Sequence, residues 1–179
     1  MIDSESKIEE RFNTKLYGIG DSYNDEGYMW DYKDYAKQER PVMFLQHGIL
    51  ASSESWILNG PDSLGLRLAN EGYDVWMGNN RGNMYSKKHL TLDLNDPNDQ
   101  QKYFDFSFYE LAEHDLPAQI DYVRETSGQD KVTYIGHSQG TTQMFTALAE
   151  GFGNINDKLN LYVALAPITR LFGSKSPFL

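Results

Sequence analysis

The chain has 179 residues, 40% of them hydrophobic and 13% aromatic, enough to bury one core and to form one domain. Its net charge of −10 and sequence pI of about 4.7 argue against nucleic acid or an anionic membrane as an electrostatic partner. It has no cysteine, which excludes disulfides, thiolate catalysis and cysteine-ligated zinc.

In chain order, residues 1–27 read as a polar N-terminal segment with one helical turn near Lys7–Phe12, and the folded part is expected over 28–179. The first ten residues are charged and carry no apolar h-region, so no secretory signal is expected. No apolar stretch approaches the roughly 18 residues that would span a membrane. Tyr28–Tyr32 reads as an early strand. Val42–Gln46, opened by Pro41, is a firmer one and leads into His47-Gly48-Ile49-Leu50. Ser63–Asn70 predicts a helix closed by Gly72, and Tyr73–Gly78 a short strand. Asn79–Gln101 is polar, with Asp96-Pro97 as a turn, and its length suggests that it shapes a site. Phe106–Glu113 predicts one helix. Asp115-Leu116-Pro117 predicts the start of another, with Asp115 as N-cap, ending near Gly128. Val132–Ile135 is β-branched and aromatic, as a buried strand should be. Thr141–Ala149 then has apolar residues at 144, 145, 148 and 149, as in a helix, and Leu161–Ala166 is a last strand. Strands alternating with helices predict βαβ units and a parallel sheet covered on both faces.

Between the third firm strand and its helix stands Gly136-His137-Ser138-Gln139-Gly140, a G-x-S-x-G pattern. Such a strand–turn–helix holds a serine in a sharp turn and exposes its Oγ, while the flanking glycines avoid Cβ clashes with neighbouring elements. Ser138 is therefore the candidate nucleophile. The candidate oxyanion donors are the backbone N–H groups of Gln139, the next residue, and Ile49, in the loop after the first firm strand. The bland alternative is an ordinary strand–turn–helix with a surface serine, beside a glycine turn with a packed histidine. A serine nucleophile needs a histidine and an acid, in the order Ser, acid, His for this motif class. The four histidines are His47, His89, His114 and His137, and none follows Ser138. His47 and His137 sit in the motif loops and read as structural. His89 and His114 are the remaining candidates for a base. Arg81 either pairs with Asp115 across the top of the sheet or is solvated beside a plain N-cap. Trp56, Trp76, Tyr103, Phe104, Phe106 and Phe108 read as core and sheet cover.

Four segments in series resemble the acid lipases, the group of gastric and lysosomal acid lipase. They are His47–Ser53, Gly72–Asn83, Asp115–Ala118 and Gly136–Thr142, and the likeness covers roughly residues 25–170. It implies the N-terminal part of an α/β-hydrolase fold, a mostly parallel sheet with flanking helices, cut off before the cap and the last strands. The implied activity is hydrolysis of triacylglycerol or cholesteryl esters, with Ser138 as nucleophile and Gln139 and Ile49 as oxyanion donors. No cofactor or metal is implied. The substrate would be a neutral lipid ester. Family members are usually secreted or lysosomal, and carry the acid and the histidine on later strands that this chain is expected to lack. A sheet ended early leaves an uncovered edge, and hence an expectation of self-association. The competing readings are a hydrolase-like chain that binds lipid or a partner without turnover, and a thioesterase or small-ester esterase.

Overall fold

The computed structural model describes residues 40–170. The polar segment over 1–27, the helical turn near Lys7–Phe12 and the strand at Tyr28–Tyr32 lie outside the described residues. Within them the chain forms strands β1 (Val42–Gln46), β2 (Asp74–Gly78), β3 (Val132–His137) and β4 (Leu159–Leu165). The helices are α1 (Leu64–Asn70), α2 (Pro97–Tyr103), α3 (Phe108–Glu110), α4 (Leu116–Ser127) and α5 (Gln139–Glu150).

The four strands make one parallel sheet in the order β2-β1-β3-β4. Alternate side chains leave each strand on opposite faces, and over β1, β2 and β3 both faces are buried. Val42, Phe44, Trp76, Val132 and Tyr134 pack on one face under Leu116 and Ile120 of α4 and Met144 and Ala147 of α5. Leu45, Val75, Met77 and Ile135 pack on the other, with Trp56 and the half-buried Leu68 of α1. This two-sided burial is why the strands read as continuous apolar runs rather than alternating ones. Fully burying one such side chain stabilises the fold by about 1.5–3 kcal/mol.

Three local expectations are corrected. Asp96-Pro97 does not form a free turn but starts α2. The Asp96 carboxylate accepts from the N–H groups of Asn98 (2.8 Å) and Asp99 (3.3 Å), and Pro97 occupies the first turn, where no N–H is needed. Asp115 is not an N-cap. Its backbone is helical, and it ends a π-helical stretch, Leu111–Asp115, that joins α3 to α4 without a break. Pro117 has no N–H to give, and the turn ahead of it widens, with the Leu116 N–H donating to the Leu111 carbonyl five residues back. Phe104 is not core; it is 46% exposed, whereas Trp56, Trp76 and Tyr103 are buried. In α5 the buried face runs through Gly140, Thr141, Gln143, Met144 and Ala147, and Ala149 is exposed.

Candidate active site

Because the strands are parallel and in register, their carboxyl ends lie side by side. Gln46 of β1 pairs with Gly78 of β2 and Gly136 of β3. The next residues, His47-Gly48, Asn79-Asn80 and His137-Ser138, therefore share one sheet edge. The chain runs from β1 outward to β2, then returns to place β3 on β1's other side. The crevice at such a reversal is where open α/β sheets bind ligands.

Ser138 sits at that reversal with φ 52° and ψ −116°, a backbone region costly for any residue but glycine. The surroundings hold it there. Its N–H donates to the Leu165 carbonyl at the end of β4 (3.0 Å). Its carbonyl accepts from the Thr141 N–H (2.8 Å) and the Thr141 hydroxyl (2.6 Å). The turn is also wedged against β1: a Cβ on Gly140 would lie 2.6 Å from the Gln46 carbonyl oxygen, and one on Gly136 would lie 2.7 Å from the Gly140 carbonyl oxygen. Only glycine fits at either place. Gln139 opens α5, so its N–H has no acceptor within the helix and faces outward from the helix start.

The loop after β1 packs directly on this turn. A Cβ on Gly48 would come 2.9 Å from Ser138 Cβ. Residues 48–51 form a tight turn closed by the Ala51 N–H on the Gly48 carbonyl (3.3 Å). Its third residue, Leu50, has φ 56° and is 84% exposed. Glycine or asparagine is the usual choice there.

Behind the loop lies a buried polar layer. His47 is 3% exposed. Its Nδ1 lies 2.7 Å from the Gly48 carbonyl oxygen, and its Nε2 lies 3.2 Å from the Asn80 backbone N and 3.2 Å from Asn83 Nδ2. Burial holds its pKa below the usual histidine value, offset in part by the bond to the Gly48 carbonyl. Asn79 Oδ1 accepts from the Ser53 N–H (2.9 Å) and from Asn83 Nδ2 (2.8 Å). Asn80 Nδ2 donates to Gln143 Oε1 (3.0 Å), tying the loop after β2 to α5. At the rim, the Arg81 side chain meets Asp115 Oδ1 through Nε (2.6 Å) and Nη2 (2.5 Å), and the Arg81 backbone N–H donates to Oδ2 (2.8 Å). The Arg81–Asp115 pair left open by the residues alone is thus made.

His47 is a packed histidine, as its loop position suggested. None of the other three hydrogen-bonds to Ser138. His137 is exposed and meets the Trp56 ring edge-on. His89 accepts from the Thr91 and Leu92 N–H groups, and His114 lies 3.5 Å from Glu113. Residue types and spacing did not point to Asn79, Asn80, Asn83 and Gln143 as a network. The run Asn79–Asn83 was a visible motif, but Gln143 gave no signal until α5 was placed. Among the described residues no group of three or more His, Cys, Asp or Glu is arranged to hold a metal ion.

The model of the alpha/beta hydrolase fold matches residues 41–176, and that of the partial alpha/beta-hydrolase lipase region matches residues 16–60. The chain is 46% identical over 139 residues to lipase member M of Homo sapiens, covering 77% of this chain and 32% of that protein. It is 45% identical over 141 residues to gastric triacylglycerol lipase of Bos taurus (78% and 34%). To lysosomal acid lipase/cholesteryl ester hydrolase of Homo sapiens it is 43% identical over 142 residues (79% and 34%). The chain spans about a third of the length of these curated relatives. Among solved structures, the 2-hydroxy-6-oxo-6-phenylhexa-2,4-dienoate hydrolase of Rhodococcus sp. strain RHA1 superposes with a TM-score of 0.53 at 16% identity, covering 79% of this chain and 43% of that one. That likeness speaks for the fold alone.

Proposed function

The chain belongs to the α/β-hydrolase fold family, and we propose that it carries the nucleophile of a carboxylic ester hydrolase of acid-lipase type, acting on triacylglycerol or cholesteryl esters. The observation that carries this reading is Ser138 at positive φ on the carboxyl edge of the sheet, packed against Gly48 of the neighbouring loop. Strain of this kind persists only where the surroundings over-determine it, and it clusters at sites of chemistry. In the proposed reaction Ser138 Oγ bonds to the ester carbonyl carbon while its proton passes to a base. The carbonyl oxygen becomes an oxyanion held by the N–H groups of Gln139 and Ile49. The intermediate then expels the alcohol, which takes up the proton, and water hydrolyses the acyl-serine.

The base is proposed to lie outside residues 1–179, because both nitrogens of His47 are engaged and the other three histidines do not bond to Ser138. The same observation favours a second reading, a hydrolase-like chain that binds lipid or a partner without turnover. Among the described residues β4 lies at one edge of the sheet with Leu161 56% exposed, and we propose that the 179-residue chain by itself associates with a second copy along this edge. The deciding experiment compares hydrolysis of a triacylglycerol emulsion and a cholesteryl ester by the protein at its full natural length and by its Ser138→Ala variant. Turnover lost at least 10³-fold in Ser138→Ala is expected, since removal of a nucleophile leaves only residual catalysis. Equal rates in the two proteins would reject the nucleophile assignment and leave the binding reading.

A further inference from the structure

We propose that His47 is a positioning residue: its imidazole holds the Gly48 carbonyl and thereby fixes the direction of the Ile49 N–H at the other end of the same peptide. The inference rests on the reading of Ile49 as an oxyanion donor and adds what holds that donor in place. A trans peptide is planar, with its C=O and N–H pointing in opposite directions, and no peptide among the described residues is cis. Anchoring the Gly48 oxygen therefore aims the Ile49 N–H away from the buried ring. The oxygen has two donors, His47 Nδ1 at 2.7 Å and the Ala51 N–H at 3.3 Å. The shorter contact comes from the imidazole.

Three constraints fix which nitrogen of His47 carries the proton. A carbonyl oxygen only accepts, so Nδ1 must donate to Gly48. The Asn80 backbone N–H only donates, so Nε2 must accept (3.2 Å). The Asn83 amide agrees: its Oδ1 accepts from the Tyr85 N–H (3.0 Å) and the Ser86 N–H (3.1 Å), so the end turned to Nε2 is the NH2 group. All three demand a neutral ring protonated on Nδ1. The ring has no freedom to turn, because Asn83 also donates to Asn79 Oδ1, which itself accepts from the Ser53 N–H. This arrangement also excludes His47 as the proton acceptor for Ser138, since its one lone pair is already engaged. The polar layer beneath the loop after β1 thus serves a geometric purpose. A leucine at positive φ strains the Ile49–Leu50 peptide, and the bonds to the Gly48 oxygen hold the preceding peptide, which carries the Ile49 N–H, in place beside it.

The test uses the protein at its full natural length. Long-range 1H–15N correlation on histidine-labelled protein at neutral pH is expected to show one neutral imidazole protonated on Nδ1 and lost from the spectrum of His47→Asn. An Nε2-protonated ring or an imidazolium at this position would overturn the proposal. His47→Asn keeps a donor nitrogen where Nδ1 stands, and His47→Leu removes it. For ester hydrolysis, kcat of His47→Leu is expected to fall about 10- to 100-fold with KM within about twofold, less than the loss of an oxyanion donor itself, and His47→Asn should recover most of it. Asn83→Ala, which leaves the Nδ1 contact in place, should lie between the two. A His47→Leu protein with wild-type kcat per folded molecule, or an Asn variant no better than the Leu variant, would reject the positioning role. Full turnover in Ser138→Ala would instead remove the hydrolase reading, and the tautomer alone would then decide whether the imidazole anchors the peptide.

Discussion

At Ser138, Gly140 and His47, single residues carry the most consequence. The G-x-S-x-G glycines were legible because the reason for them is local: a Cβ at 140 meets the Gln46 carbonyl of the adjacent strand, and no other residue avoids it. The state of His47 was not legible, because its partners Asn80 and Asn83 lie 33 and 36 positions away. That state has a measurable consequence. Burial lowers the folded-state pKa of His47, so below about 6.5 the unfolded chain takes up a proton that the folded chain resists. The unfolded state then binds more protons, and stability must rise with pH across this window. We predict that its contribution is complete above the unfolded value and is lost as pH falls through the lowered folded value. Unfolding midpoints from pH 8 to 5 would show it, and His47→Asn should flatten that part of the curve. An identical slope in the variant would discard the burial account.

Among elements, the join of α3 to α4 best separates pattern from context. Asp115-Leu116-Pro117 has the residue types of a helix start, and local chemistry alone favours that reading. The structure instead spends the Asp115 carboxylate on Arg81 and carries the helix through by a π turn. Asp115 is 3% exposed, whereas the Arg81 side chain is 37% exposed. Removing the cation strands a buried carboxylate, but one that keeps the Arg81 backbone N–H (2.8 Å). Arg81→Ala is expected to destabilise by about 2–3 kcal/mol in urea denaturation, below the range for a fully buried pair. A loss under about 0.5 kcal/mol would reduce the pair to an ordinary surface contact. The loop after β2 should loosen in the same variant, visible as faster amide exchange at Asn80 and Asn83.

Across the described residues as a whole, both faces of the sheet are covered over β1, β2 and β3 but only partly at β4, which with β2 stands at a sheet edge. β1 and β3 are flanked on both sides, while β4 pairs only with β3 among the described residues. Leu161 and Leu165 are 56% and 37% exposed along it. An exposed apolar edge of this kind recruits further strands. We predict that the 179-residue chain elutes in size exclusion as species larger than 20.5 kDa, with a share that grows with concentration. Leu161→Lys, a charge on the edge strand, should shift it toward the monomer. A wild-type chain monomeric at all concentrations would refute edge pairing.

The amino-acid order alone determined the parallel α/β sheet, strands read at 42–46, 73–78 and 132–135 that the structure places at 42–46, 74–78 and 132–137, and a serine turn between the third of these and its helix. These follow from short continuous apolar runs for the strands, period-3.6 burial for the helices and the steric needs of glycine, which act over a few residues. Only the tertiary structure decided the His47 tautomer, the Arg81–Asp115 pair and the π turn. The tautomer and the ion pair depend on which side chains the strand order β2-β1-β3 brings to one edge. Buried hydrogen-bonding groups must be satisfied by whatever partner stands in reach, and reach is set by packing across the sheet rather than by neighbours in the chain.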